Sequence, residues 1–157
     1  MKKVLSLLTA VILSLLSAPV FYVNTAAYTV ADAQNAADGI LAYKENQAGV
    51  NNAQDFINTY LTDKAGVDAE WYVLGLSQSG DYDFSSYESA LLRYIDVNDV
   101  YSATTRQKYA LTLICANSSS RFISDTLNNS IGELGVMSYI YGLHLLNNGY
   151  TSSYHTA

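Results

Sequence analysis

Hydrophobic positions fall along this chain in two registers. In one kind of segment apolar residues run on almost unbroken: residues 71–76 (WYVLGL), 108–116 (KYALTLICA) and 138–146 (SYIYGLHLL). In the other kind they recur in stripes between polar residues. Phe56, Ile57, Tyr60 and Leu61 make one stripe; Phe84, Tyr87, Leu91, Tyr94 and Ile95 a second; Phe122, Ile123, Thr126, Leu127 and Ile131 a third. Spacing of three and four is that of a helix with one face on a core. A helix apolar on all sides must instead be covered all round. Strict alternation of the two kinds predicts an all-α fold of about seven antiparallel helices, hairpins in two layers with the apolar helices inside. A four-helix bundle competes, but it would make every helix striped.

The breaks support these elements. Residues 30–44, with Ala33, Ala36, Ala37, Ile40 and Leu41 on one side, form the first expected helix, and Gly49 breaks it. Gly66 ends the first striped helix, Asp68 is the expected N-cap of the next, and Gly80 stops that one. Asp83 or Ser85 opens the second striped helix, Ser102 starts the helix at 102–116, and residues 132–135 and 147–149 are further breaks. Aligning Trp71 with Lys108 and Ser138 places Tyr72, Tyr109 and Tyr139 in register, with Leu76, Leu113 and Leu143 four residues on. The steps of 37 and 30 residues are those of a helical repeat array.

Residues 1–27 stand outside this pattern. Lys2 and Lys3 precede an uncharged run at 4–16, and Thr25-Ala26-Ala27 is a small-x-small cleavage site, with Tyr28 the expected mature start. A retained membrane anchor is the competing reading, although a 13-residue run is short of the roughly 20 that span a bilayer. The expected organisation is therefore a signal peptide at 1–27, a helical repeat domain at 28–150 and a flexible tail at 151–157. The expected address is secreted or extracellular, with the membrane involved only if the leader is uncleaved. Loss of the leader moves the net charge from −6 to −8. So acidic a chain repels nucleic acid and anionic lipid, and neither is expected as a partner. Cys115 is the only cysteine, so no internal disulfide forms, and Pro19 is the only proline.

The quoted apolar segments carry a resemblance. Residues 70–76, 109–113 and 135–143 look like the inner helices of secreted bacterial proteins with prenyltransferase and squalene-oxidase-type repeats. Those are similar to the α/α-toroid superfamily of terpenoid cyclases and protein prenyltransferase β-subunits. The resemblance covers residues 30–150 and implies a partial α/α toroid, because a complete one closes with about six helix pairs. It also directs attention to two kinds of site. Cyclases that protonate their substrate use an Asp-rich motif in the toroid cavity, but Asp81 and Asp83 here read as helix-capping acids in a turn. Farnesyltransferase-like enzymes hold zinc with Asp, Cys and His, but no acid accompanies Cys115 or His144 at ligand spacing.

No catalytic residue, cofactor site or metal site is therefore expected. Residues 96–101 lack the oxygen ligand and glycine of a calcium loop, and no nucleophile or phosphate-binding motif occurs. Asn117 and Asn128 open glycosylation sequons, which matter only in a host that glycosylates. The positive signal is aromatic: fourteen tyrosines, several in the inner segments. Candidate ligand contacts are Trp71, Tyr72, Tyr109, Tyr139 and Tyr141, with Arg106 for an anionic group; the ligand is an unknown small molecule, glycan or protein. For each aromatic the competing reading is core packing, and for Arg106 a surface ion pair. The leading functional expectation is a non-catalytic binding or scaffold domain, and the alternative is a fragment of a terpenoid cyclase or prenyltransferase-like enzyme. No later segment can cover the last inner helix, so self-association or a partner chain is expected at that C-terminal edge.

Overall fold

The computed structural model of the chain describes residues 29–133 and 135–154. Every regular element among them is helical, as the spacing predicts. Seven α-helices occur among these residues: α1 (Val30–Ala48), α2 (Ala53–Phe56), α3 (Glu70–Ser79), α4 (Ser85–Val97), α5 (Ala103–Cys115), α6 (Arg121–Ser130) and α7 (Gly135–Asn147). The chain divides into two compact units, Met1–Ala33 and Gln34–Ala157. Of the first, only residues 29–33 are described. There Thr29 and Asp32 cap α1 reciprocally, the Asp32 N–H donating to the Thr29 hydroxyl and the Thr29 N–H to the Asp32 carboxylate, at 3.1 and 2.9 Å. The expected leader lies outside the described residues.

In the second unit α2 runs on into a π-helical stretch, Ile57–Leu61. The Thr62 N–H and hydroxyl both reach back five residues to the Ile57 carbonyl. Phe56, Ile57 and Leu61 are buried, while Tyr60 stacks on Phe56 from outside with ring centres 5.1 Å apart. This stretch packs against α3 and α4. Helix α5 is the centre of the fold: it packs against α3, α6 and α7, and no residue of it is exposed. Ser102 caps it, its hydroxyl accepting from the Thr105 N–H. The striped helices behave as expected. Tyr87 and Leu91 point inward from α4, and Ile123, Thr126, Leu127 and Ser130 from α6.

Three expectations need correction. Ala69, not Asp68, is the cap residue of α3, and no side chain caps it there; the helix instead begins with the buried Glu70. Only α5 among the apolar helices is covered all round. Trp71 of α3 is 58% exposed, and α7 buries only Ser138, Gly142 and Leu145. The 30-residue step is also out of phase. Tyr139 and Leu143 are exposed where Tyr109 and Leu113 are buried. By burial, Glu70, Gln107 and Ser138 correspond, with steps of 37 and 31 residues. One residue of slip turns a helix by about 100° and so exchanges its faces. In the stretch expected to be a flexible tail, Asn128 Oδ1 of α6 accepts from the Ser152 hydroxyl and the Ser153 N–H.

Two glycines separate backbone demand from helix propensity. Gly66 has φ +85°, and a Cβ there would lie 2.2 Å from Cδ1 of Tyr94. Gly75 lies inside α3 facing open space, with nothing within 4 Å of an added Cβ. Gly66→Ala is expected to cost more than about 2 kcal/mol, from left-handed strain plus overpacking. Gly75→Ala should stabilise by about 0.5–1 kcal/mol through helix propensity. Urea midpoints followed by far-UV circular dichroism check both, and equal shifts would contradict this packing.

Candidate functional site

Four titratable groups, Glu70, Tyr87, Lys108 and Tyr109, gather in one largely buried place. Glu70 is fully buried at the start of α3. Its Oε1 accepts from the Gly66 N–H at 2.7 Å and from the Tyr87 hydroxyl at 3.4 Å. Its Oε2 lies 3.1 Å from Nζ of Lys108 but has no aligned hydrogen-bond donor, so that contact is purely electrostatic. Lys108 also lies 5.4 Å from the centre of the Tyr109 ring. The Tyr109 hydroxyl donates to the Gly66 carbonyl, so the two sides of one peptide turn are gripped from α3 and α5. A carboxylate, an amine and two phenols this close resemble acid–base machinery. Glu70, Tyr87 and Tyr109 are buried, and Lys108 alone of the four keeps some solvent contact. The cluster is a structural clamp.

Burial pushes the Tyr87 phenol well above its ordinary 10.0; contact with the Thr112 hydroxyl opposes this, and the Glu70 charge adds to it. Tyr109 is raised likewise, by burial first and then by the charges of Glu70 and Tyr94.

A second buried polar group ties the other side of α5. The Gln107 amide donates 2.9 Å bonds to the Ser130 hydroxyl of α6 and to the Ser138 carbonyl of α7. The Ser138 hydroxyl accepts from the Gly132 N–H at 2.8 Å.

One open site is a groove of about 190 Å³ between α1 and α3, the most apolar in its lining. Ala37, Ile40 and Leu41 form one wall, Trp71, Tyr72 and Leu76 the other, and Gly75 leaves the space between them unfilled. Two charged side chains line it. Asp38 is held by the Gln34 amide at 2.8 Å, and Lys44 Nζ sits 5.7 Å from the centre of the Tyr72 ring. Lys44 bonds Gln47 at 3.3 Å and forms no ion pair among the described residues. Its cation therefore remains available to a ligand.

No family model, curated protein or solved structure matches the chain. The site must stand on its own geometry.

The expected contact residues divide. Trp71 and Tyr72 line the groove, and Tyr72 also meets Phe56 edge-on at 6.0 Å. Tyr141 lies beside the groove rather than in it, its ring centre 6.5 Å from that of Trp71. Tyr139 is exposed on α7, apart from the groove, with its hydroxyl over Gly132. Tyr109 belongs to the clamp. Arg106 is half-buried in α5 and forms no ion pair among the described residues, so the expected surface pair is not made there. The cap residue of α4 is Phe84, with no side-chain cap, and not Asp83; the Asp83 carboxylate accepts instead from the N–H of Ser85, the first residue of the helix, at 2.9 Å. Hydrogen bonds from Ser85 hold the Asp83 carboxyl below its usual range. Among the described residues no His, Cys, Asp and Glu group could hold a metal, and no helix is long and apolar enough to cross a membrane. The groove wall on α1 and the clamp around Glu70 escaped sequence reading. Glu70 on the apolar face of its own helix, in register with Val73 and Leu76, was the available signal.

Two outcomes follow for the clamp. Lys108→Met should cost about 2–4 kcal/mol by urea unfolding, somewhat less than a fully buried pair because Lys108 keeps some solvent. Adding Glu70→Gln should restore most of it, and a purely additive cycle would rule out the pairing. The raised phenols act at high pH. Below about pH 10 both are protonated folded and unfolded; above it the unfolded chain ionises while the folded one does not. Stability should then fall by up to about 1.4 kcal/mol per pH unit for each tyrosine. Tyr87→Phe should remove one share of that slope between pH 9 and 11.

Proposed function

We propose that the chain is a secreted, non-catalytic binding domain of partial α/α-toroid type, whose ligand enters the groove between α1 and α3. One observation carries the reading: Trp71, the chain's only tryptophan, is 58% exposed on the wall of an apolar groove whose space Gly75 leaves open. An aromatic side chain of that size held out of a core that buries its neighbours Glu70 and Val73 suits a contact still to be made. The apolar row α3, α5, α7 with α6 packed across α5 and α7 is consistent with the toroid arrangement.

Size narrows the ligand. Grooves that enclose whole drug-sized molecules run to about 300–1,000 Å³, and a cavity near 150 Å³ takes a benzene. A space of about 190 Å³ suits one ring or a short alkyl segment of something larger. Lys44 then offers a cation to an anionic or polar end. A secreted domain would meet such groups on glycans, amphiphiles and exported polypeptides.

Trp71 reports directly on occupancy. Anilinonaphthalene sulfonate, a ring system with an anionic end, should quench Trp71 fluorescence with a dissociation constant of about 0.1–1 mM. Gly75→Leu should fill the groove and weaken binding at least tenfold with helicity unchanged, and Lys44→Met should weaken it severalfold. Equal binding by the Gly75→Leu chain would remove the groove as the site. Turnover of a prenyl diphosphate by the purified chain would replace the reading with the enzymatic one.

A further inference from the structure

The second open surface is α7. Its buried side is narrow, and on the other side Val136, Met137, Tyr139, Ile140 and Leu143 are 68, 44, 59, 43 and 48% exposed. Val136, Ile140 and Leu143 follow one another at steps of four and three, the seam spacing of a helix that packs along another helix. Tyr141 links this face to the exposed Trp71 of α3.

Charge selects the occupant. The chain carries a net −6, yet α7 is the one described α-helix without Lys, Arg, Asp or Glu; His144, exposed in its last turn, is its single ionisable group apart from tyrosines. The adjoining α3 carries only Glu70, which is buried. Every other α-helix of a second copy except α3 brings at least one charged side chain that is not fully buried. Against an uncharged apolar face that charge would be desolvated without a partner. The uncharged surface of this chain that matches α7 is therefore α7 itself with the adjoining edge of α3, and a face that meets its own copy closes with two-fold symmetry.

We infer that α7 is a homotypic docking surface, pairing two copies of the chain through Val136, Ile140 and Leu143. Area sets its strength. Five large side chains about half exposed present on the order of 100 Å² each, so a symmetric contact buries about 1,000 Å² in total, the lower edge of specific interfaces. The dimer is a reversible one, with dissociation constant in the micromolar range. Val136, Ile140 and Leu143 do not line the groove between α1 and α3, so the inference stands independently of groove binding.

Sedimentation of the purified full chain between about 1 and 100 µM tests this. The wild-type mass should double across that range. Leu143→Glu and Leu143→Lys should each stay monomeric with unchanged circular dichroism, and an equimolar mixture of the two should recover the doubled mass. Val136→Glu and Val136→Lys provide the same cycle at a second, more exposed position. A wild-type chain monomeric throughout overturns the inference. So does association that survives in both single variants, or a mixture that stays monomeric at both positions.

Discussion

The fold depends on a buried polar residue near the start of each apolar helix. Glu70, Gln107 and Ser138 have no solvent exposure, and each is the first or nearly the first inward-facing position of its helix. Two of them perform the same act. Glu70 accepts from the N–H of Gly66 and Ser138 from the N–H of Gly132, both glycines at φ +85°. A left-handed turn leaves an N–H pointing into the protein, and a buried donor without an acceptor is costly. The helix that follows supplies the acceptor from its own first turns. The turn can then be tight, and the helix must enter the core at one angle. Gln107 follows a turn without glycine and donates instead, holding α6 and α7 to α5.

This arrangement explains why α5 alone is enclosed. It stands between α3 and α7, with the Glu70 clamp on one side and the Gln107 bonds on the other. Its neighbours have α5 on one side only. Open faces on α3 and α7 thus follow from the same contacts that bury α5. They differ in character because α1 lies beside α3 and makes a walled groove, whereas α7 presents a plain helical surface. Helix α1 buries none of its own residues, so a ligand in the groove would add contacts to the least supported helix of the unit.

The helices were legible in the sequence because stripe and run are period-3.6 signals that tertiary packing reinforces. Phe56, Ile57, Tyr87, Leu91, Ile123 and Leu127 all went where their spacing sent them. The phase of the last helix was not legible. Residues 136–146 are apolar on every side, so periodicity could not say which face turned inward; Ser138 and Gly142 did, through small size and a backbone bond that no hydrophobic pattern encodes. The site was half legible. Trp71 and Tyr72 stood out by type, but their partners on α1 are alanine, isoleucine and leucine, which announce nothing until two helices are placed side by side. Glu70 was hidden by its neighbours: a carboxylate beside Trp71 and Tyr72 reads as a helix-start acid until its burial is seen.

The tyrosines show what separates core from surface in such a chain. Tyr87 and Tyr109 are buried, and each hydroxyl ends on an acceptor held by another segment, Glu70 for one and the Gly66 carbonyl for the other. Half-buried Tyr150 follows the same rule with the Ser118 carbonyl. Tyr139 is apolar enough for a core, and the expected repeat equates it with Tyr109. Its helix turns Ser138 inward instead, where the hydroxyl takes the Gly132 N–H. On the outside the Tyr139 phenol keeps water and covers Gly132. One serine hydroxyl thus helps to set the rotation of α7. The same rotation puts Val136, Ile140 and Leu143 on the surface, so the apolar outer face of the helix follows from the polar bond that fixes its inner one.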